Sequence, residues 1–462
     1  MVEMRGSGVQ EIEDLSHAML AQIAQMNQSM ERDALTGIYG REAFYRRAAA
    51  LMQENSETPY RIVCLDIRAF KVLNGQYHQE MGDLILQTAA LFFARTVGEM
   101  GLCARIESDH FALCAERGAL DMDALIAGVD DVMKRIGIAH AITFYAGVYD
   151  VHDVYRPVAR MYDHALMAMD TVKGSRRARY AYYDKAVHDR LALEQMIVRD
   201  MAFALQAGQF CVYLQPIFDL AAGRITGAEA LVRWNHPTGM ISPGAFIPVF
   251  EKNGFIVQLD RFVWREVCRL LHEQKEQTGH MTPVSVNVSW LNFYNRDLLD
   301  YLKALAAEYA LEPRMLMLEV TERSYKDNPQ QLIGAVEAFR DSGFPVLLDD
   351  FGEGYASLEM LAAMPVDTLK IDFASVQAIR RQERIAIIFA HVMKMARALD
   401  MRVIVEGVET EEQVAFLRTM GCEKIQGYYF APPLAEADYF ARLAAGESGQ
   451  AKESACADGG IA

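Results

Sequence analysis

Short apolar runs alternate with amphipathic, helix-like stretches along the second half of the chain, and most of these runs end in a polar residue. The clearest runs occupy residues 284–288, 315–319, 346–350, 368–372 and 403–406. Strands that are apolar on both faces are typical of a parallel sheet covered by helices. Because the repeat extends over about 250 residues, it predicts a (β/α)8 barrel, in which active sites lie at the carboxyl ends of the strands.

The polar residues that end the apolar runs are acidic or carry an amide. They are Glu229, Asn287, Glu319, Asp349, Asp350 and Glu406. A lone carboxylate at the end of a buried strand is costly to desolvate, and a shared cation is the commonest compensation. A single acidic strand end is more often solvated or capping, but so many together would be uncompensated charges. We therefore predict one divalent-metal site built from several strands.

The first half of the chain predicts a helix followed by a separate domain. Apolar positions at three- and four-residue spacing indicate a helical stalk over residues 1–30, which packs either on its own domain or against a second copy. Residues 31–184 alternate helical stretches with short strands and predict an α/β sandwich. A charged linker helix is expected over 185–206, a second domain over 191–445, and a disordered tail over 446–462.

Composition narrows the class of protein. At 462 residues the chain is too long for one ordinary core. It contains no apolar run long enough to span a membrane and no export signal, so we expect a cytoplasmic protein. The net charge of −16 opposes binding to DNA, RNA or an anionic membrane. A small phosphate substrate remains compatible, because a divalent metal inverts the field of clustered carboxylates. The seven scattered cysteines predict reduced thiols.

Several motifs in the second half together resemble the EAL family. They are EAL at 229–231, QP at 215–216, SVNVS at 285–289, EVTE at 319–322, DDFGEGY at 349–355, LKID at 369–372, VEGVET at 405–410 and QGY at 426–428. The resemblance covers residues 191–445. It implies a modified, TIM-like barrel whose first strand runs antiparallel. It also implies a phosphodiesterase that hydrolyses cyclic di-GMP to linear pGpG with two Mg²⁺ or Mn²⁺ ions.

The resemblance implies a role for each matching residue. The metal ligands would be Glu229, Asn287, Glu319, Asp349 and Asp350. The catalytic residues would be Lys370 and Glu406, which orient and activate the attacking water, together with Glu229 and Gln426. The substrate contacts would be Gln215, Arg233 and Asp372. Asp349 and Asp350 point to opposite faces of a regular strand, so they converge only if the strand ends there.

One loop of the resembling segment is expected to be regulatory. Glu322, Glu409 and residues 350–357 match the parts that in the family couple dimer packing to metal occupancy. Within this loop Glu353 and Ala356 stand where the family more often has Thr and Ser. Because both lie beside the metal ligands, we expect a modest effect on rate without loss of activity.

Residues 31–184 resemble the GGDEF family of diguanylate cyclases, through DALTG at 33–37 and LDIRAFKVLN at 65–74. At the signature hairpin, Glu107 and Ser108 replace two glycines and His110 replaces an acidic metal ligand. Glycines there let the backbone approach a triphosphate, so we expect Glu107 to add bulk and a negative charge that faces phosphate. Magnesium also prefers oxygen to imidazole. Asp170 stands where the family carries a phosphate-contacting Lys. We therefore expect no cyclase activity from this domain.

Some nucleotide-binding positions of that family are retained. Asp66 matches a metal position, and Asn74 and Asp83 match guanine-reading positions. The domain could thus bind GTP without turning it over and regulate its neighbour. The alternative, which we favour, is a scaffold that supports a homodimer.

Two other functions compete with phosphodiesterase activity. A non-catalytic cyclic di-GMP receptor that signals to a partner would not need Lys370 and Glu406. A bifunctional enzyme would need an intact cyclase hairpin. Residues 107–110 lack the two glycines and the acidic metal ligand of that hairpin.

Overall fold

The computed structural model describes most of the chain as two compact units, Met1–Leu193 and Glu194–Ala462. The described residues are 31–68, 70, 79–99, 101–135, 142–175, 178–327, 329–351, 358–373 and 382–446. The predicted stalk, Asn74, the loop residues 352–357 and the tail beyond Gly446 lie outside these ranges.

The first unit is a sheet with helices on both faces. Its strands are β1 (Tyr39–Gly40), β2 (Tyr60–Ile67), β3 (Leu102–Glu107), β4 (His110–Glu116), β5 (Phe144–Asp150) and β6 (Tyr180–Tyr182). Its helices are α1 (Arg41–Glu54), α2 (Gln79–Val97), α3 (Met122–Arg135) and α4 (Val158–Asp170). The strand order is β1-β3-β4-β2-β5-β6. The predicted α/β sandwich is confirmed.

The central strand β2 explains why this unit has two layers of helices. All of its residues are buried, and alternate side chains of a strand point to opposite faces. Val63 and Leu65 pack into a hydrophobic cluster with residues of α2 and α3. Ile62 and Cys64 pack into a second cluster with residues of α1 and α4. A strand that is apolar on both faces requires both layers.

The second unit is a closed barrel. Its strands are β7 (Phe210–Asp219), β8 (Arg224–His236), β9 (Gly239–Ile241), β10 (Val284–Asn287), β11 (Leu316–Thr321), β12 (Val346–Asp349), β13 (Thr368–Asp372), β14 (Arg402–Glu406) and β15 (Lys424–Ile425). The order is β10-β11-β12-β13-β14-β15-β7-β8-β9, and β8 also pairs with β10 to close the barrel. Strand β7 runs antiparallel to both of its neighbours. The modified barrel with an antiparallel first strand is therefore confirmed.

Helices alternate with the barrel strands along the chain, and the first of these helices leads from the first unit into the second. They are α5 (Lys185–Gln206), α6 (Pro243–Asn253), α7 (Ile256–Thr278), α8 (Leu298–Glu308), α9 (Glu322–Asp327), α10 (Pro329–Asp341), α11 (Leu358–Ala363), α12 (Gln382–Ala398), α13 (Glu411–Thr419) and α14 (Glu436–Ala445). Two 3₁₀ turns lie at Trp290–Tyr294 and Pro313–Met315. Within the described residues, no helix has the length and apolar character needed to cross a bilayer.

Alternation along the barrel strands determines which side chains enter the barrel. Val346 and Leu348 of β12 belong to the large hydrophobic cluster shared with the surrounding helices. Leu347 instead belongs to a small inner cluster with Ile217 and Ile404. Two residues further along a strand the same face is presented again, so Asp349 follows Leu347 inward. The barrel interior is therefore apolar further back along the strands and charged at their carboxyl ends.

The first unit offers a direct test of how closely its helices approach the sheet. A Cβ added to Gly147 of β5 would overlap the Ala165 carbonyl and the Met169 amide of α4. Because backbone cannot yield as a side chain does, we expect Gly147→Ala to reduce the free energy of unfolding by about 1–3 kcal/mol or more, measured by urea unfolding. Gly118→Ala is the control, since a Cβ there meets no described atom. Equal stability of the two variants would contradict this packing.

Candidate active site

Lys370 lies at the centre of the charged end of the barrel. Its side chain is completely buried. Its Nζ lies 2.8 Å from Glu406 Oε1, 2.9 Å from Glu319 Oε2, 3.1 Å from Glu229 Oε2 and 3.3 Å from Asp349 Oδ1. These carboxylates come from β14, β11, β8 and β12. Glu229 lies inside β8 and not at a strand end, so that part of the prediction is wrong, because the strand continues through the polar residues that follow. One ammonium cannot neutralise four carboxylates, so the site has an excess of negative charge.

This excess charge changes the protonation of the buried groups. Burial raises the pKa of Glu319 to about 8, and the nearby charge of Glu229 adds to the effect while Lys370 opposes it. Burial likewise raises the pKa of Glu406 well above its ordinary value. Burial lowers the pKa of Lys370, but the surrounding carboxylates more than offset this and raise it well above the usual value. The site therefore retains protons unless another cation replaces them.

The donor set fits a hard divalent cation. Carboxylate oxygens of Glu229, Glu319 and Asp349 all lie within 4.8 Å of one another. Glu319 Oε1 and Gln426 Oε1 are buried and have no hydrogen-bond partner among the described residues. Buried oxygens left without a donor, beside a surplus of carboxylates, are the ligands that Mg²⁺ and Mn²⁺ prefer.

Asn287 stands next to this carboxylate cluster. It is the last residue of β10, and the parallel register pairs it with Glu319 of β11. Its residue number has the same parity as the buried Ser285, which pairs with Glu229 of β8, so both side chains of β10 point inward. Asn287 is exposed at the rim of the barrel. Its amide oxygen is thus available to a ligand that enters from solvent.

A row of two glutamines fixes the Glu229 carboxylate from the other side. Gln426 Nε2 donates to Glu229 Oε2 at 2.7 Å and to Gln215 Oε1 at 3.0 Å. Gln215 Nε2 in turn donates to the Ala431 carbonyl at 3.4 Å. Gly427 follows Gln426, and a Cβ there would overlap the backbone of Val408. Only glycine permits this close approach, which brings Gln426 into the barrel.

Asp349 and Asp350 separate where β12 ends. Asp349 is the last residue of the strand, and its side chain is 13% exposed. Asp350 has a left-handed backbone, with φ 57°, and its amide donates to Asp349 Oδ1 at 3.0 Å. The strand ends between the two acids, as predicted. Asp350 itself is exposed and lies outside the described carboxylate cluster.

The remaining predicted residues lie around the rim. Asp372 ends β13 and pairs with Glu406 of β14. Glu322 is buried at the start of α9, directly after β11. Glu409 is exposed before α13, and its amide donates to Gln413 Oε1 at 2.6 Å.

Arg233 lines a cavity that also reaches the metal-site rim. The cavity encloses about 220 Å³, and its wall includes Asn287, Trp290 and Thr321 beside apolar side chains of α6 and α7. Arg233 Nη1 donates to the Val232 carbonyl at 2.9 Å, and its guanidinium lies 5.6 Å from the Tyr213 ring centroid. The cavity is mostly apolar, and its charged lining residues are Arg233 and the two acids Glu251 and Asp260. Apolar walls of this kind suit a flat ring system.

Comparison with known families identifies this barrel. The family model described as "EAL domain" matches residues 198–433, which is just over half of the chain. The chain belongs to the EAL family. The model described as "Diguanylate cyclase, GGDEF domain" matches residues 30–179, so the EAL domain follows a GGDEF domain in tandem.

Two relatives of this EAL protein come from Pseudomonas aeruginosa. "Cyclic di-GMP phosphodiesterase NbdA" is 30% identical over 91% of the chain, and "Bifunctional diguanylate cyclase/cyclic di-GMP phosphodiesterase MucR" is 29% identical over 89%. The chain spans 54% and 61% of their lengths. The solved structure described as "PaMucR Phosphodiesterase, c-di-GMP complex" is 33% identical, with a TM-score of 0.50, and covers 53% of this chain and 99% of its own.

The GGDEF domain of this EAL protein contains a smaller polar cluster. Carboxylate oxygens of Asp66 and Asp109 and a ring nitrogen of His110 lie within 4.8 Å of one another. Lys173 Nζ lies 2.8 Å from Asp66 Oδ2 and 3.3 Å from Asp170 Oδ1. An ammonium thus already pairs with the carboxylate that matches a metal position. Burial, and then the charge of Asp66, raise the pKa of Asp109.

The signature hairpin of this domain differs from the expected arrangement in one contact. Ser108 has a left-handed backbone, with φ 47°, as a position built for glycine requires. Glu107 was expected to face phosphate, but its carboxylate pairs with Arg41 at 2.5 Å and is 66% exposed. Asp83 is half-buried on α2.

Three polar groups near the active site of this EAL protein escaped the sequence analysis. Ser285 is completely buried between the strands that carry Glu229 and Glu319, and its alternation with Asn287 is the signal that could have revealed it. Asp260 and Trp264 of α7 hydrogen-bond to the residues around Asn287. Asp260 interrupts an otherwise apolar helix face, but sequence alone does not say which loop that face meets.

The raised pKa of Glu319 predicts how stability depends on pH. Between its unfolded value, about 4.5, and about 8, the folded state binds a proton that the unfolded state releases. Stability without divalent metal should therefore fall as pH rises through this window, by up to ~1.4 kcal/mol per pH unit for this proton. Glu319→Gln removes the proton and should flatten the slope in urea unfolding with EDTA. Identical slopes for both proteins would contradict the assignment.

Proposed function

We propose that this EAL protein is a metal-dependent phosphodiesterase that hydrolyses cyclic di-GMP to linear pGpG. The observation that carries the proposal is the ring of four inward carboxylates around Lys370. Three of them lie at or near the carboxyl ends of their strands, and Glu229 lies inside β8. The relatives named for cyclic di-GMP hydrolysis support the choice of substrate.

The residues that would hold Mg²⁺ or Mn²⁺ are Glu229, Asn287, Glu319 and Asp349. Asp350, which lies just outside that cluster, remains a predicted ligand of the second metal. The bound metals supply a water nucleophile at neutral pH and neutralise charge on the phosphate oxygens. We propose two metals per site. The buried, partnerless Glu319 Oε1 supports this role, because a carboxylate oxygen without a donor is otherwise costly.

Lys370 and Glu406 act on the attacking water in this proposal. Lys370 is fixed on several sides by carboxylates, so its ammonium is held in one place to stabilise developing negative charge. Glu406 has a side chain 25% exposed, against 13% or less for the other three acids around Lys370. It is the acid of this group that water reaches most readily, which favours it as general base. Gln426 orients Glu229 through its 2.7 Å hydrogen bond.

Substrate contacts complete the proposal. Arg233, in the cavity beside Asn287, offers a cation to a phosphate or the face of a guanine. Gln215 and Asp372 remain predicted substrate contacts. Glu322 and Glu409, both at the starts of helices beside the barrel mouth, remain predicted parts of a regulatory loop.

We also propose that the GGDEF domain does not synthesise cyclic di-GMP and serves as a scaffold for a cytoplasmic homodimer. The Lys173–Asp66 pair supports the absence of synthesis, because a bound ammonium competes with the metal that GTP requires. GTP binding as a regulatory signal is the competing role for Asp66, Asn74 and Asp83.

Hydrolysis of cyclic di-GMP tests the main proposal. The purified protein should convert cyclic di-GMP to pGpG with Mg²⁺ or Mn²⁺, followed by liquid chromatography. Glu229→Ala should lower kcat by at least about a hundredfold, since it removes a ligand and the partner of both Lys370 and Gln426. Glu276→Gln, a change at an exposed acid of α7, is the control. Binding of cyclic di-GMP without turnover under any metal or pH would support a receptor instead.

GTP provides the separate test of the first domain. We expect no cyclic di-GMP to form from GTP and Mg²⁺, and calorimetric titration with GTP should be flat, because Lys173 occupies the Asp66 carboxylate. Binding that Asn74→Ala weakens would support the regulatory role. Synthesis of cyclic di-GMP would establish a bifunctional enzyme.

A further inference from the structure

Helix α7 directs two buried polar side chains at the segment that follows β10. Asp260 and Trp264 lie four residues apart, so they share one face of the helix. They are 6% and 0% exposed, among the apolar residues Ile256, Leu259 and Val263 of the same helix. A carboxylate and an indole N–H in such a place are stable only when they are hydrogen-bonded.

Trp264 binds the residue that ends β10. Its Nε1 donates to the backbone carbonyl of Asn287 at 3.0 Å. That carbonyl belongs to the last residue of the strand, two residues beyond the last described pair between β10 and β8. Because the indole is fully buried and packs in the barrel's hydrophobic core, its N–H has a defined direction. The bond therefore fixes the peptide on the carboxyl side of Asn287.

Asp260 binds the next part of the same segment. Its Oδ2 accepts a hydrogen bond from the Ser289 amide at 3.0 Å and from Asn292 Nδ2 at 2.6 Å. Between the bond to Asn287 and the bond to Ser289, the Val288 amide donates to the Glu319 carbonyl at 2.9 Å. Asn287, Val288 and Ser289 are thus each held by one hydrogen bond, and α7 provides the first and the third of these bonds.

This attachment has a consequence for the metal site. Asn287 ends a strand of four residues and is exposed at the barrel rim, so the ladder alone holds it weakly. A productive ligand must be held to within about 0.5 Å, which requires supporting hydrogen bonds. We propose that Asp260 and Trp264 are positioning residues that hold Asn287 for the divalent metal bound by Glu229, Glu319 and Asp349. The inference rests on the proposed metal site and adds the residues that support it.

Direct binding of Mn²⁺ separates this role from ordinary packing. Trp264→Phe keeps most of the ring and removes only the N–H and part of the volume. Trp234→Phe is the matched control, because Trp234 is also 0% exposed and its Nε1 donates to Gln209 Oε1 at 3.0 Å, away from the carboxylates. Mn²⁺ affinity, measured by electron paramagnetic resonance without nucleotide, should fall about tenfold in Trp264→Phe and stay near wild type in Trp234→Phe.

Asp260 can be tested by conservative rescue. Asp260→Ala removes the acceptor for both Ser289 and Asn292, whereas Asp260→Asn retains one oxygen that can accept from them. We expect Asp260→Ala to speed hydrogen–deuterium exchange of the peptide containing Ser289 and to weaken Mn²⁺ binding. Asp260→Asn should restore most of both. The apparent metal constant of hydrolysis should rise in Asp260→Ala more than kcat at saturating Mn²⁺ falls.

The outcomes distinguish this inference from the proposed function. Wild-type binding of Mn²⁺ with equal affinity in Trp264→Phe and Trp234→Phe would overturn the positioning role and leave the metal site intact. An equal loss of Mn²⁺ affinity in both Trp variants would show that Trp264 acts only through packing, and it would also overturn the positioning role. If wild type and Glu319→Gln alike fail to bind Mn²⁺, the metal site itself is wrong, and the positioning role is wrong with it.

Discussion

The contact between Lys370 and the inward carboxylates is the constraint on which the barrel site depends. A buried ammonium alone would cost several kcal/mol of desolvation, and so would each buried acid. Together they compensate one another only in part, because the acids outnumber the cation. The remaining charge is balanced by protons, as the raised pKa of Glu319 indicates, or by added cations. A site of this kind is stable without metal and still attracts it.

The fold creates this contact through strand alternation. Apolar residues such as Leu347 and Ile404 fill the lower barrel, and the next inward positions on the same strands, Asp349 and Glu406, are acidic. The same strands present only apolar residues to the helices. One alternating pattern therefore provides the core, the closure of the barrel and the position of the chemistry. The antiparallel β7 adds Gln215, which supports Gln426 and through it Glu229.

The sequence contained enough information for the architecture of both units and for the acids around Lys370, because apolar runs with polar ends are local features. It did not reveal the support beneath those acids. Trp264 and Asp260 act on Asn287 across a helix–strand contact, and a lone Trp in an apolar helix face looks like core packing. The pairing of Lys173 with Asp66 was missed for a similar reason, since the two residues meet only in the folded domain. Periodicity predicts which face is buried, and packing decides what that face meets.

Crystals soaked in Mn²⁺ test the central claim most directly, through anomalous scattering recorded at the manganese edge. The account predicts strong peaks within coordination distance of Glu229, Glu319 and Asp349, with the Asn287 amide oxygen as a further ligand. The peaks should disappear in Glu319→Gln crystals soaked in the same way. Ordered crystals in which manganese avoids these carboxylates, and Lys370 alone continues to neutralise them, would contradict the account.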